Sequence, residues 1–286
     1  MATARDLQRQ INTVKNQSRV FSALQTVSSV KFRKAEARVK KARPYADNVE
    51  EMMRDVAGSA SGDLPLLVGR EVNRVAMCTL TADRGLAGGF NAQVLRRTVS
   101  LRNEKDQNAL QVASGRKAVA FFRFRRVDLA EVFTGFTDNP TYEKAREIGS
   151  TLTNLFEDEE ADEVYLVYNR FESALNQTPV VKRLLPVAEE GDEGEDDGAS
   201  YMEYVPDAET VLKRLVPRYV ETMVWQALLE GAAGEHGARM TAMKNATDNA
   251  NDLVRDLTLQ MNKARQAQIT QEILEIVGGA EALSAG

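Results

Sequence analysis

Several short stretches of this 286-residue sequence hold side chains of a kind that does chemistry. Gly85-Leu86-Ala87-Gly88-Gly89-Phe90 lies between an apolar run and an amphipathic one. Glycines before a helix start let a phosphate approach the backbone amides. The spacing is not Gly-x-Gly-x-x-Gly, however, and no Gly-x-x-x-x-Gly-Lys-Ser/Thr occurs in the chain. A tight strand-to-helix turn accounts for the same residues. Glu272 and Glu275 stand three apart on one helical face. Such carboxylates do acid–base work when a cleft surrounds them. These sit in a segment that implies no cleft, so structural or contact roles are expected. His236 is the sole histidine and has no titratable nucleophile near it in sequence; it reads as a packing or surface residue. Cys78 is the sole cysteine, which excludes an intrachain disulfide and a Cys-rich zinc site. It lies mid-strand and reads as a small buried hydrophobe. Trp225, beside Met223 and Leu228, reads as an anchor on an apolar helix face. No catalytic, metal-binding or cofactor-binding residue is assigned, and no cofactor is expected.

The charge is unevenly spread. The net charge is −5, yet residues 1–43 hold eleven Lys or Arg against Asp6 and Glu36. Two readings of that stretch stand together: a grip on nucleic-acid phosphates, or a solvated or partner-facing helix face. Its aromatic residues, Phe21 and Phe32, fall on an apolar seam instead of among the charges, which favours the second and argues against nucleic acid. Residues 189–197 hold seven acidic side chains, and Glu189–Ser200 reads as a solvated loop. The N-terminus lacks an apolar signal core, and no apolar run approaches the ~20 residues that span a bilayer. A reducing, cytoplasmic location is expected, with membrane association only through partners.

The elements that must position these residues follow from hydrophobic spacing. From Leu7, steps of four and three reach Ile11, Val14, Ser18, Phe21, Gln25, Ser28, Phe32, Ala35, Val39 and Ala42, and eight of the eleven are apolar. That 3.5-residue repeat is a coiled-coil seam. Residues 1–43 as a helix would extend roughly 65 Å. Such a helix cannot bury its own stripe, so a partner is required. The seam Ala246, Ala250, Leu253 or Val254, Leu257, Met261, Ala264 supplies it. A second helix is expected from about 207 to 283, starting near Pro206 and kinked or divided at Pro217. Gly231, Gly234 and Gly237 make sense in it where another backbone approaches closely. Between the two helices, strands at 72–80, 109–112, 128–133, 163–168 and 178–187 alternate with helices after Asn91, after Gly115 and at about 141–156. That alternation predicts a three-layer, Rossmann-like α/β domain with a largely parallel sheet. The expected division is a coiled-coil helix over 1–60, an α/β domain over 70–200 carrying the acidic loop, and a second coiled-coil helix over 206–286.

The end of the sequence, Lys263-Ala264-Arg265-Gln266-Ala267-Gln268-Ile269-Thr270-Gln271-Glu272-Ile273-Leu274-Glu275-Ile276-Val277-Gly278-Gly279-Ala280, resembles the C-terminal signature of the gamma subunits of F-type ATP synthases. So do the block Glu235–Ala250, the turn Asp83–Asn91 and the opening residues, in the same order along the whole chain. The resemblance implies a rotating shaft without catalytic residues: an antiparallel coiled coil of both terminal helices, with the α/β domain inserted at its base. It implies alpha and beta subunits of a catalytic head around the shaft, an epsilon subunit and a c-subunit rotor ring at its base, and a place on the cytoplasmic face of a bacterial plasma membrane. The function it implies is coupling of transmembrane ion flow to ATP synthesis or hydrolysis by rotation.

On composition alone, Arg265 and Gln266 are either ordinary polar groups in water or contact residues. The resemblance implies that they touch loops of the catalytic subunits, together with Thr270, Glu272 and Glu275. It also makes the small, sparsely charged tail Ile276–Gly286 a bearing surface. Three positions depart from the family pattern: Ser22 replaces a lysine, Leu24 a methionine, and Ala87 a frequent cysteine. The chloroplast insertion with paired cysteines is absent, so the bacterial type fits.

Overall fold

The computed structural model describes residues 3–59, 69–105, 109–187 and 208–284. Its elements are α1 (Ala4–Ser59), β1 (Val75–Leu80), α2 (Phe90–Glu104), β2 (Ala109–Ser114), α3 (Arg116–Phe124), β3 (Leu129–Phe133), α4 (Tyr142–Glu157), β4 (Glu163–Phe171), β5 (Gln177–Leu185) and α5 (Ala208–Ser284). Each strand and helix expected from sequence is present. Pro206 and the acidic stretch 189–200 lie outside the described residues. The chain forms two compact units, one of Met1–Val27 with Met240–Gly286, the other of Ser28–Arg239.

In the first unit α1 and α5 pair antiparallel. Leu7, Ile11 and Leu257 are buried together, with Val14, Val254, Met261 and Ala264 packed around them. The open choice at 253 or 254 falls to Val254, because Leu253 is 47% exposed. Further along, the Ser18 hydroxyl donates to Asn251 Oδ1 at 3.0 Å, so a polar seam position is satisfied across the pair. Beyond Ala264 every described side chain of α5 from Arg265 to Ala280 is exposed.

The second unit is built on a five-stranded sheet of order β3-β2-β1-β4-β5. Its first four strands are parallel and β5 runs antiparallel against β4. β1 is buried along its whole length, which is why Val75–Leu80 reads as an apolar run broken only by Thr79. Ala76, Cys78 and Leu80 face a core shared with α4 and with the inner parts of α1 and α5, through Ile148, Phe156, Met53, Val220 and Val224. Val75 and Met77 face the opposite side, against Val94 and Leu101 of α2. The layers are therefore helix, sheet, helix. α1 keeps its seam here: Val39, with Phe32, Ala35 and Ala42, packs on Leu229 and Ala233 of α5. Ala46, Val49 and Met53 carry the same steps of four and three into the main core.

α5 runs through Pro217 as one helix, so the expected division does not occur. Val216, Tyr219 and Val220 around it are buried, and that packing holds the helix across the missing amide. Another backbone approaches closely at Gly237 alone of the three glycines, and at Gly234 side chains do so instead. A Cβ on Gly237 would lie 3.1 Å from the Ala174 backbone, and one on Gly234 would lie 2.9 Å from the Phe90 ring. Gly231 has nothing within 4 Å.

Gly115 and Gly135 follow β2 and β3 with φ of +91° and +89°. A Cβ on Gly115 would lie 2.1 Å from the Thr81 carbonyl oxygen, whereas at Gly135 the space is open. Gly135→Ala should therefore cost about 1 kcal/mol from backbone strain alone, and Gly115→Ala roughly 3 kcal/mol from strain plus clash. Denaturant unfolding of the two variants measures the difference; equal losses would show that the clash is relieved by local movement.

Candidate functional site

Open α/β sheets bind ligands at the carboxyl edge of the strands, in the crevice where strand order reverses. Here that crevice lies between β1 and β4. The glycine turn stands on its rim. The crevice is filled by the protein itself. α5 crosses it with Gly234 against the Phe90 ring, and Asn169 Nδ2 donates to the Phe90 carbonyl at 2.8 Å. The hollow left among Leu80, Phe90, Thr137, Leu228 and Glu235 holds about 20 Å³, against the ~300 Å³ or more of a small-molecule site.

The residue before the turn ties the neighbouring loops together. The Asp83 carboxylate accepts from the amides of Arg116 at 3.1 Å, Gly135 at 2.8 Å and Thr137 at 3.1 Å. It also accepts from the Thr137 hydroxyl. A side-chain anion thus occupies the first turn of α3, the helix beside the one that the glycine turn opens. Burial pushes the Asp83 pKa up, but those hydrogen bonds outweigh it and hold the group below its ordinary value. Ala82 N–H donates to Asn91 Oδ1 at 2.8 Å, closing the turn onto α2. The residues singled out as a phosphate loop are a strand-to-helix turn stapled to its neighbours.

α5 seals this edge with a buried polar cluster. Arg239 donates to Glu235 at 2.5 Å and to the Gly85 carbonyl at 3.1 Å. Burial raises the Glu235 pKa, and Arg239 opposes the rise. His236 is 1% exposed. Its Nε2–H donates to the Asp138 carbonyl at 3.1 Å, which leaves Nδ1 as an acceptor facing Arg239 at 3.5 Å. Burial lowers the His236 pKa and the contact with Asp138 acts against that. Asp138 is paired with Lys31 of α1. The sequence reading placed His236 only as a packing or surface residue and passed over the Glu235–Arg239 pair. The signal was an acid and a base four apart on one helical face.

Several basic residues of α1 are internal fasteners. Arg38 donates to Asn139 Oδ1 and to the Pro140 carbonyl, both at 2.7 Å, and lies over the Trp225 ring. Arg43 binds Glu230 and the Phe171 carbonyl, both at 2.9 Å. Those two contacts wall a polar cavity of about 350 Å³. Tyr168 also lines it, its hydroxyl pKa pushed up to about 12 mainly by burial. Cys78 is fully buried, and burial pushes its thiol to about 12 as well. Among the described residues no group of three or more His, Cys, Asp or Glu is placed to hold a metal ion.

The tail residues expected as contacts are arranged differently. Arg265, Gln266, Thr270, Glu272 and Glu275 are all exposed on the single-helix part of α5. Thr270 donates to the Gln266 carbonyl at 2.9 Å, Gln268 to Glu272 at 2.9 Å and Gln271 to Glu275 at 3.2 Å. Among them and just beyond, Ile269, Ile273, Leu274, Ile276 and Val277 are 44–72% exposed. This is a stripe without a cover. No described helix is long and apolar enough to cross a membrane.

The family model described as ATP synthase matches residues 3–283. The ATP synthase gamma chain of Rubrobacter xylanophilus is 68% identical, with all of both chains covered. That of Moorella thermoacetica is 45% identical over 99% of this chain and all of its own length. Among solved structures, a chain of the Euglena gracilis mitochondrial ATP synthase rotor superposes with a TM-score of 0.71. It is 17% identical, over 93% of this chain and 98% of that one. That likeness is one of fold.

A depressed folded-state pKa at His236 makes its contribution to stability full above the ordinary histidine value, 6.5, and lost as pH falls below it. Glu235, with its raised pKa, acts in the opposite sense: its contribution is greatest in acid and is lost as pH rises above 4.5. The melting midpoint should therefore fall on acidification from about pH 7.5 to pH 5.5 more steeply in the native chain than in His236→Asn. Parallel pH profiles would show that His236 is not the titrating group.

Proposed function

The chain belongs to the ATP synthase gamma-chain family, and on that footing we propose that it is the central rotor shaft of an F-type ATP synthase. Rotation of the shaft couples transmembrane ion flow to ATP synthesis or hydrolysis in the subunits around it. The chain supplies no catalytic group. Its partners on this reading are the alpha and beta subunits of the catalytic head, the epsilon subunit and the c-subunit rotor ring. It is peripheral, on the cytoplasmic face of a bacterial plasma membrane, and reaches the membrane through those partners.

The observation that carries the reading is the tail of α5. From Arg265 to Ala280 a single helix stands with all its described side chains exposed, five of them large aliphatics. An apolar stripe of that kind marks a surface that a partner covers. A ring of subunits supplies a cover on every side. One helix inside a ring of three equivalent sites meets each with a different face. Differential contact is the physical requirement for holding equivalent sites in different states.

Within that tail, Arg265 and Gln266 are the contacts assigned to the catalytic-subunit loops, with Thr270, Glu272 and Glu275 on the following turns. A guanidinium offers a planar fork to a carboxylate, and an amide both donates and accepts. Contacts that form and break as the shaft turns affect turnover more than assembly. Arg265→Ala and Gln266→Ala should leave the complex assembled, with ATP hydrolysis and ion-driven synthesis reduced. Losing one partner of a buried charged contact typically costs about 2–5 kcal/mol, so a drop of tenfold or more in rate is the expected scale. Arg96, exposed on α2, is the control and should be nearly silent as Arg96→Ala. Steady-state rates on complexes of matched subunit content decide it, and normal rates would remove the two residues from the coupling mechanism.

The filled crevice generates a second expectation. Titration of the isolated chain with ATP should give no saturable micromolar binding. Binding abolished by substitution at Gly88 or Gly89 would overturn the reading of that turn as structural.

A further inference from the structure

The end of α3 carries an arrangement that neither the sheet nor the shaft requires. The helix closes with a two-bond lock: Val127 N–H donates to the Phe122 carbonyl at 3.0 Å, and Arg126 N–H to the Arg123 carbonyl at 3.0 Å. Phe122 and Val127 pack in one apolar cluster, as such a closure demands. The lock places one residue in the left-handed conformation, where glycine is the usual occupant because a Cβ is costly there. Here that residue is Arg126, at φ +58°. Two residues earlier Phe124 is 89% exposed, the most open of the large apolar side chains among the described residues.

Arg123, Arg125 and Arg126 are exposed around it. Among the described residues none of the three has a carboxylate within 4 Å, while Arg125 lies over the Phe121 ring at 4.7 Å. A helix dipole favours a cation in the last turn, and Arg123 meets that need. The dipole explains neither an arginine in the glycine position nor a phenylalanine in water. An aromatic ring fenced by arginines is the composition of an interface hot spot.

We propose that Phe124, Arg123, Arg125 and Arg126 form a docking surface for another protein, one that offers an apolar pocket rimmed by carboxylates. The ring fills the pocket, and the three guanidiniums, which have no acidic partner among the described residues, pair with the rim. The proposal rests on the chain being a subunit of a larger complex.

The test is a photoreactive benzophenone amino acid at position 124, in the ATP synthase complex purified from cells. Irradiation should attach this chain to a neighbouring subunit, at a peptide containing Asp or Glu. Arg126→Gly in the same background should lower that adduct about tenfold. In the full chain alone, Arg126→Gly should raise the melting midpoint by about 2–4 °C, because the strained position is relieved. Adducts to lipid only, or none in a complex that has co-purified intact, would overturn the proposal and leave the shaft reading standing. So would a raised midpoint with the adduct undiminished. A chain that co-purifies with no subunits would instead overturn the shaft reading.

Discussion

A helix cannot dry its own apolar stripe, and the chain's architecture answers that constraint. α1 presents Leu7, Ile11, Val39, Ala46, Val49 and Met53 along one line, all buried. α5 meets that line with Leu257 and Ala250 in one unit, and with Ala233, Leu229, Val224 and Val220 in the other. In the first unit the two helices have only each other, and the seam is narrow. In the second the sheet and α4 join them, and α5 is buried nearly all round from Val216 to Arg239. One helix is thus a coiled-coil strand over part of its length and a core helix over another. Glycines at 234 and 237 serve that second role.

The seam was legible because its residues obey a spacing rule that needs no tertiary knowledge. Even its polar positions, Ser18, Gln25 and Ser28, are buried or half-buried as the steps of four and three require. The strands were legible for a related reason: β1 and the Val164–Tyr168 part of β4 are buried on both faces and read as largely apolar runs. At Pro217 local propensity allows a kink or a division, and the packing of Val216 and Val220 keeps α5 undivided. The choice between Leu253 and Val254 could not be made from one helix, since both lie near the seam and only the partner's position separates them. The ties from Arg38 to the Pro140 carbonyl and from Arg239 to the Gly85 carbonyl were invisible. Each joins residues about a hundred or more apart, to backbone groups that carry no side-chain signature.

The crevice at the sheet's carboxyl edge shows how one topology is turned to a different use. Loops after β1, β2 and β3 converge there, as in any doubly wound sheet, and their amides point inward. Asp83 takes the place of a ligand anion and joins the three loops to one another. Glu235, His236 and Arg239 then fasten α5 across the top. The loop amides are taken up by Asp83, and the carbonyls of Gly85 and Asp138 hold the helix. For a part that transmits torque, a rigid joint between helix and sheet is worth more than an open pocket. The fold supplies the loops and their direction; the side chains at 83 and 235–239 determine what the loops do.

The pairing of Ser18 with Asn251 joins residues 233 apart in sequence. During synthesis α1 leaves the ribosome well before its mate exists. At about 5–20 residues per second the interval is roughly ten to fifty seconds. For that time Leu7, Ile11 and Val14 form an uncovered stripe on a nascent chain, next to eleven basic side chains with only two acidic ones to balance them. Positive charge flanking an apolar run discourages self-association between chains waiting on the same messenger. The basic character of this end is thereby also a property of the polypeptide before it is folded.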